Sequence, residues 1–403
     1  MKKILILNTT FSKGGAAQVA RDLFFHFKKE SDFSMYFAYG RGGKNSESNT
    51  FYFGNKIELF IHIFFVRFLG LEGFGSYFST KKLVNFIEKE KFDAVHIHNL
   101  HGYYVNFFSL LKYLNEKNIK VIWTLHDEWI FTWLPAHSMG CNHCKTLDGK
   151  CVNKYKYPKN FFPIFSKFML SRKKNILKYK NIMFISPAQW LYNEAVDEFK
   201  LSNINLITNG VDNNIFIPST DKTLLRNKYK LPEDKKIILL SANNFKDKNK
   251  GGHFIKDILR NLDKNKYTLC VIGSKIDSEE GLIAFDYISD RSMLSEIYSL
   301  SDIYCFLSAV ETSPLSIIEA MSCGLPIAGF KIKALEGLCD EENSILVEYG
   351  NIERLLESIN KITENNSLQN SMGKHSRYLA INNFNQDSTY KSYKAAYETN
   401  LNK

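Results

Sequence analysis

Residues 311–328 read ETSPLSIIEAMSCGLPIA. The stretch is mostly apolar, yet it carries two carboxylates, Glu311 and Glu319, eight positions apart. The run before it, Ile303–Leu307, has strand character; Ile317–Ser322 has helical spacing; Pro326–Phe330 is strand-like again. Glu311 therefore falls in the loop at the carboxyl end of a strand, and Glu319 on the helix that follows. In open parallel α/β sheets, ligands gather beyond the carboxyl ends of the strands. A helix starting there offers unpaired N–H groups and the positive end of its dipole, which attract phosphate. Pro314-Leu315-Ser316 is the expected helix start, because proline suits the first turn. Glu319 lies one turn further on, where a carboxylate can bind vicinal hydroxyls such as those of a ribose. Cys323-Gly324-Leu325-Pro326 is a small-residue turn closing the helix.

The same alternation extends in both directions. Upstream, Ile237–Ser241 and Tyr267–Ile272 read as strands, and Phe254–Leu262 and Ser292–Leu300 as helices. Downstream come a strand at Ser344–Val347 and a helix at Ile352–Thr363. The N-terminal half shows its own series. KILILN at residues 3–8 is a strand, Gly14-Gly15 a loop, and Ala16–Lys29 a helix with Val19, Leu23 and Phe27 on one side. Strand candidates follow at Met35–Tyr39, Ala94–Ile97, Val121–Leu125 and Ile182–Ile185, with helical patterns at Lys81–Lys89 and Phe107–Lys117. Buried strands alternating with helices predict α/β domains with parallel sheets covered on both faces. Two such units are expected. The break is placed at Thr208-Asn209-Gly210-Val211-Asp212, giving domains 1–207 and 208–385, with a C-terminal helix at about 386–403 packing back on the first.

With 403 residues, 44% apolar and 24% charged, the chain has the composition of a globular protein. No run reaches the length of a membrane span. Met1-Lys2-Lys3 followed by Ile4–Leu7 reads as a strand and not a signal peptide, so a cytoplasmic protein is expected. The net charge of +11 suits phosphorylated ligands, an anionic membrane surface or simply a solubilising surface, and does not choose among them. Ile57–Leu71, IELFIHIFFVRFLGL, reads as a buried helix; the alternative is an interfacial helix with its aromatics in a membrane surface. Phe161–Lys174, which mixes Phe with Lys and Arg, has the same interfacial character.

SAVETSPLSIIEAMSCGLPIAGF resembles the signature of the retaining, GT-B-fold glycosyltransferases called family 4 or group 1, in which two Glu eight apart precede such a turn. The resemblance implies a GT-B architecture: two Rossmann-like, doubly wound parallel-sheet domains facing a central crevice. It implies that Glu311 contacts the donor sugar and Glu319 the ribose; the helix start at Pro314-Leu315-Ser316, read above from its dipole, is where the phosphates are expected. Lys13-Gly14-Gly15 resembles the family's glycine loop, where a missing Cβ lets the donor diphosphate approach the backbone. Asn209-Gly210-Val211-Asp212 resembles the interdomain turn. Lys248-Asn249-Lys250-Gly251-Gly252 resembles the Lys-Gly pair whose lysine meets the phosphates, a role carried to Lys250. Two departures stand out. Ser241-Ala242-Asn243-Asn244 replaces the usual Gly-Arg, so a positive charge is missing. Thr312-Ser313-Pro314 replaces the usual aromatic-Gly after the first Glu.

On the acceptor side, Val95-His96-Ile97-His98-Asn99-Leu100-His101 ends a strand with three histidines. His96 and His98 share a face by period two. The family places a functional His in this loop; His98 and His101 are the candidates, with His101 preferred. His126 and Asp127, at the end of Val121–Leu125, are candidates for the acceptor floor. Cys141, Cys144 and Cys151, with His137 or His143, have metal-like spacing. Structural Zn²⁺, free thiols and a disulfide are all open readings. The remaining four cysteines read as core residues. No Asp-x-Asp triplet occurs, so metal-independent transfer is expected, with the leaving group stabilised by Lys250, backbone amides and helix N-termini. The expected partners are a nucleotide-sugar donor and a glycan or lipid-linked glycan acceptor, without nucleic acid. The competing readings are a nucleotide-sugar epimerase of the same fold and a non-enzymatic basic binder of membrane or nucleic acid.

Overall fold

The computed structural model describes all residues except 147–150, 152, 154, 155, 243, 274–278 and 403. The chain divides into two compact units: Met1–Ile207 with Tyr390–Lys403, and Thr208–Thr389.

The first unit is built on a seven-stranded sheet. Its strands are β1 (Lys2–Thr10), β2 (Phe33–Arg41), β3 (Thr50–Tyr52), β4 (Ala94–Ile97), β5 (Lys120–Thr124), β6 (Ile182–Ser186) and β7 (Ile204–Leu206). They run in the order β3-β2-β1-β4-β5-β6-β7, every neighbouring pair parallel. Both faces are covered, which is why Ile4, Leu5, Ile6 and Leu7 are all fully buried and why β1 reads as a continuous apolar run. The helices are α1 (Gly15–Phe27), α2 (Lys56–Phe64, continued by a π turn at Phe65–Leu69), α3 (Tyr77–Glu90), α4 (Phe107–Glu116), α5 (Ser166–Ile176) and α6 (Gln189–Asp197).

The second unit repeats the plan. Its strands are β8 (Lys236–Ser241), β9 (Tyr267–Ile272), β10 (Leu282–Phe285), β11 (Ile303–Phe306), β12 (Ile327–Phe330) and β13 (Ser344–Val347). They form a parallel sheet in the order β10-β9-β8-β11-β12-β13. Its helices are α7 (Lys222–Tyr229), α8 (Ile255–Asn261), α9 (Arg291–Leu300), α10 (Leu315–Ser322), α11 (Ile352–Thr363) and α12 (Asn366–Asn383). A last helix, α13 (Gln386–Asn402), sends its residues from Tyr390 onward into the first unit. There Tyr393 and Tyr397 are buried in the same core cluster as Phe24, Phe27 and Phe33.

Both sheets have the doubly wound order in which the first strand lies beside the fourth. The crossover direction reverses there, between β1 and β4 and between β8 and β11, and such a switch point opens a crevice at the strand ends.

The short strands β3, β7 and β10 carry three or four residues each, too few for a periodic pattern. The Ile57–Leu71 segment corrects the buried-helix reading. It is helical, but Ile57, Phe60, Ile61, Phe64 and Phe68 are exposed while Glu58 and His62 are buried. No helix among the described residues is long and apolar enough to cross a membrane.

The start of β11 is held by a buried ion pair. Asp302 accepts from Arg226 on α7 at 2.6 Å and from the Ile237 N–H of β8 at 2.7 Å. Arg226 also reaches the Leu300 carbonyl at 3.2 Å. Removing one partner strands a buried guanidinium. Asp302→Ala is expected to destabilise the second unit by about 3 to 5 kcal/mol, read as a lowered denaturant midpoint.

Candidate functional site

In the second unit, the loops after β8 and β11 meet at the switch point. The chain leaving β8 makes a 3₁₀ turn at Lys248–Lys250, started by Asp247, whose carboxylate accepts from the Asn249 N–H at 3.0 Å. Gly251 ends the turn at φ +75°, a left-handed conformation that disfavours a Cβ. A Cβ there would lie 2.2 Å from the Leu307 carbonyl oxygen, and one on Gly252 would lie 2.1 Å from that of Phe245. Both glycines are thus required by close backbone approach. The Ala309 N–H donates to the Asn249 carbonyl at 2.8 Å, tying the two loops together. Held this way, Lys250 Nζ donates to Glu311 Oε1, which also accepts from Ser308 Oγ at 3.1 Å. The pair is partly exposed, so its charges remain accessible to a ligand.

The helix after Glu311 starts at Leu315, and Pro314, at φ −70° and ψ 108°, is its N-cap rather than its first helical residue. Proline has no side-chain acceptor, so Pro314 itself does not cap the first amides of α10. A helix start at a strand end carries free N–H groups that suit an anion. One turn on, Glu319 is buried, and Tyr298 donates to its Oε2 at 3.3 Å. The Tyr298 hydroxyl also meets Ser241 Oγ at 2.7 Å, which in turn meets the Tyr304 hydroxyl at 3.0 Å. Sequence reasoning missed Tyr298 and Tyr304, since tyrosines in apolar runs read as core. The end of α10 explains the rest of the signature. Leu325 N–H donates to Ala320 O and Gly324 N–H to Met321 O, with Gly324 at φ +73°. This is a Schellman cap, which needs glycine at that position, and proline then bars further helix. Asn243, within the departure at 241–244, lies outside the described residues.

In the first unit, Gly14 is the N-cap of α1 at φ +95° and ψ 159°. A Cβ on Gly14 or Gly15 would meet nothing within 4 Å among the described residues. The strain is conformational at Gly14, and the open space leaves the backbone amides approachable.

Across the switch point, β4 and β5 present the histidines. His98 Nδ1 lies 2.8 Å from His126 Nε2, and His101 Nε2 lies 2.6 Å from Asp127 Oδ2. His98, His101, His126 and Asp127 line one small hollow together with Trp123 and Trp129. His98 Nε2 and His101 Nδ1 are buried and lack a partner among the described residues. His96 is a core residue: Nδ1 meets the Tyr397 hydroxyl at 2.8 Å and Nε2 meets Thr124 Oγ1 at 2.9 Å.

Electrostatics divide these rings into two kinds. Burial, then the neighbouring His96 and His126, holds His98 well below the ordinary histidine value. Burial lowers His126 to about 4 despite Asp127, and His96 to about 3. Burial also works against a charge on His101, but the Asp127 carboxylate, by charge and by hydrogen bond, with Glu72 behind it, raises its pKa. Burial would raise Asp127, yet His101 holds it down at about 2. Two further buried groups support the pair. Glu72 accepts from Trp129 Nε1 at 2.6 Å and from the Gly102 N–H at 3.2 Å. Lys173 Nζ donates to the Trp129 and Thr132 carbonyls at 2.8 and 3.3 Å, and burial lowers its pKa to about 7 against the pull of Glu72 and Asp127. No sequence pattern marks Glu72 or Lys173, which come from segments remote in the chain.

The cysteine cluster is partly as expected. The sulfurs of Cys141, Cys144 and Cys151 lie within 4.8 Å of one another, and Cys144 and Cys151 are joined by a disulfide. Zinc needs thiolates, so the disulfide and a metal exclude one another at these two residues. His137 is not part of the group. A left-handed turn at Met139 and Gly140 separates it from Cys141, and its charge acts instead on Asp127.

Two Rossmann-like parallel sheets in one chain define the GT-B class of glycosyltransferases, and solved structures of that fold superpose along the whole chain. Sucrose-phosphate synthase from Thermosynechococcus elongatus aligns over 99% of both chains with a TM-score of 0.73 at 16% identity. Anabaena HepE, in complex with UDP and glucose, aligns over 99% of this chain and 100% of its own with a TM-score of 0.70 at 15% identity. The chain belongs to glycosyltransferase family 4, whose profile matches residues 13–214, and residues 221–378 match glycosyl transferases group 1. Among relatives, an Escherichia coli K12 protein, WcaC, provisionally assigned as a glycosyl transferase of colanic acid biosynthesis, is 24% identical over 80% of this chain and 82% of its own length.

The His101–Asp127 pair makes a signed prediction. Because the His101 pKa is raised in the fold, its contribution to stability is fully present below the unfolded value of about 6.5 and is lost as pH rises through the folded value. In Asp127→Asn, burial acts unopposed by that carboxylate. The His101 imidazole resonance is then expected to titrate at lower pH than in the wild type, and the alkaline loss of stability should shrink.

Proposed function

We propose that the chain transfers a sugar from a nucleotide-sugar to an acceptor hydroxyl with retention of anomeric configuration, in the synthesis of a bacterial surface glycan. The observation that carries this reading is the Lys250–Glu311 pair at the second unit's switch point, directly before the start of α10, whose cap residue is a proline. A departing nucleoside diphosphate needs positive charge and N–H donors already in place, and Lys250 with the α10 amides at Leu315 and Ser316 supplies them. Gly14 and Gly15 are assigned to the donor as further backbone donors. Glu319 takes the ribose hydroxyls. Glu311 positions the donor sugar and holds Lys250 at the phosphates; it is not a nucleophile. The acceptor oxygen attacks the anomeric carbon on the face the diphosphate leaves. One C–O bond forms as the other breaks, and the acceptor proton passes to the leaving phosphate oxygen. His101 and His98, with His126 and Asp127, hold the acceptor and the transferred sugar, using His98 Nε2 and His101 Nδ1, which lack a partner among the described residues. No metal ion is required, because the positive charge comes from the protein. The description of the WcaC relative and the UDP in the HepE complex favour a glycan product and a nucleotide-sugar donor.

Glu311→Gln and Lys250→Ala are each expected to lower kcat by about 10² to 10³, the cost of losing one preorganised charge or donor, with unfolding midpoints close to wild type. Turnover near wild type in either variant would sink the assignment. Addition of the matching nucleoside diphosphate should raise the melting temperature, and EDTA should not cancel that shift. Under reducing conditions the three sulfurs are proposed to hold one structural Zn²⁺. Metal analysis should then find zinc in the reduced wild type and none in Cys144→Ser, while zinc-free reduced wild-type protein would leave only the disulfide.

A further inference from the structure

Helix α2 is folded inside out for a water-soluble protein. Its two polar, ionisable side chains beyond the first residue, Glu58 and His62, are 8% and 1% exposed, whereas Ile57 and Phe60 are 72% and 71% exposed. The inversion has a structural cause. Glu58 caps α3, accepting from the Phe78 N–H at 2.7 Å and the Ser79 N–H at 2.8 Å. His62 bridges the Gly73 N–H at 2.9 Å and the Ser76 hydroxyl at 2.9 Å. With the inner face occupied by polar anchors, the apolar face is turned to solvent.

Neighbouring elements extend this face. Phe64 stacks near Phe68 at 4.9 Å, and Phe68 near Phe161 at 5.7 Å. The Phe161 N–H donates to the Arg67 carbonyl at 2.7 Å, and Asn160 Nδ2 to the Val66 carbonyl at 2.8 Å, fastening the 160–168 segment to the π turn. Phe162, Ile164 and Phe165 are exposed on that segment, and Tyr77 and Phe78 at the start of α3. Exposed large apolar side chains gathered across these elements mark an interaction site.

The charges around it choose the partner. Between residues 56 and 82 the acids are Glu58 and Glu72, both buried and hydrogen-bonded. Residues 152–180 contain no acid at all. Lys56, Arg67, Lys81, Lys167 and Arg172 are exposed there. Arg172 lies over the Phe108 and Phe168 rings at 4.7 and 5.5 Å, so cation and aromatics share one surface. Aromatics to enter the acyl boundary, basic side chains beside them and no exposed carboxylate within residues 56–82 or 152–180 match an anionic lipid surface.

We propose that α2, the π turn, the start of α3 and residues 161–168 form a docking face for an anionic bilayer, on which the first unit lies without spanning it. None of these residues takes part in the chemistry above, so the proposal goes beyond that reading. The test is vesicle flotation of the full chain without nucleotide. Vesicles of phosphatidylcholine are compared with vesicles containing about 30 mol% phosphatidylglycerol. The wild type should float with the anionic vesicles at least about tenfold more than with the neutral ones. The double variants Phe60→Asp/Phe162→Asp and Arg67→Glu/Lys167→Glu should each lose that binding by about tenfold, with unchanged circular dichroism and unchanged transfer to a soluble acceptor. Equal partition into both vesicles, no partition, or flotation retained in the aspartate variant would overturn the proposal. A wild-type dimer in light scattering that Phe60→Asp dissociates, with no flotation, would assign the face to a second copy instead. Loss of transfer with flotation intact would count against the enzymatic reading alone.

Discussion

The second unit rests on a contact that tolerates no side chain. The backbone at Gly251 comes so close to the Leu307 carbonyl that a Cβ would sit 2.2 Å from its oxygen. This approach locks the loop after β8 against the loop after β11, and the Asn249–Ala309 hydrogen bond seals it. Lys250 and Glu311 are neighbours as a result, although 61 positions separate them in the chain. A lysine on a free loop would spend rotamer entropy on every ligand it met. Here that entropy is lost on folding, and the positive charge stands in place before any ligand arrives.

The first unit obtains its chemical contrast from burial. Four histidines crowd the ends of β4 and β5, three buried and His126 partly so, yet one is pushed up and three down. Desolvation penalises the charged form of every ring, and only a carboxylate in contact reverses the sign. Asp127 touches His101, so a ring whose charged form is favoured stands beside two, His98 and His126, whose charged form is disfavoured. Glu72 and Lys173 are the background to this contrast. Lys173 keeps the Trp129–Thr132 turn in position through two carbonyls, and the Trp129 backbone N–H in turn donates to Asp127 Oδ1 at 3.0 Å.

Much of this was legible in the sequence because it is local. The strands flanking the site are buried on both faces and read as unbroken apolar runs, so β4 and β9 have the boundaries expected of them. The Glu311–Pro326 stretch encodes its own loop, helix and Schellman cap within sixteen positions. What stayed hidden is what tertiary contact decides. The tyrosines at 298 and 304 look like core until Ser241 and Glu319 are brought to their hydroxyls. The spacing at Cys141 suggested a nearby imidazole, but His137 is not among the clustered ligands, and a left-handed turn at Met139 and Gly140 lies between them. The Ile57–Leu71 helix looked buried because apolar content says how much can be covered, not which face is turned inward. Two polar anchors, Glu58 and His62, reversed that choice.

The last helix has a consequence for how the chain is made. Tyr397 hydrogen-bonds His96, a residue 301 positions earlier, and Tyr393 bonds Thr124 beside it. During synthesis the first unit emerges long before these two tyrosines exist. Until then β4 and β5 carry a buried imidazole and hydroxyl without their partners, beneath an uncovered patch of Phe27 and Phe33. Domains ordinarily complete folding in the order they leave the ribosome. This one must wait for the second unit to be translated before its own core can close.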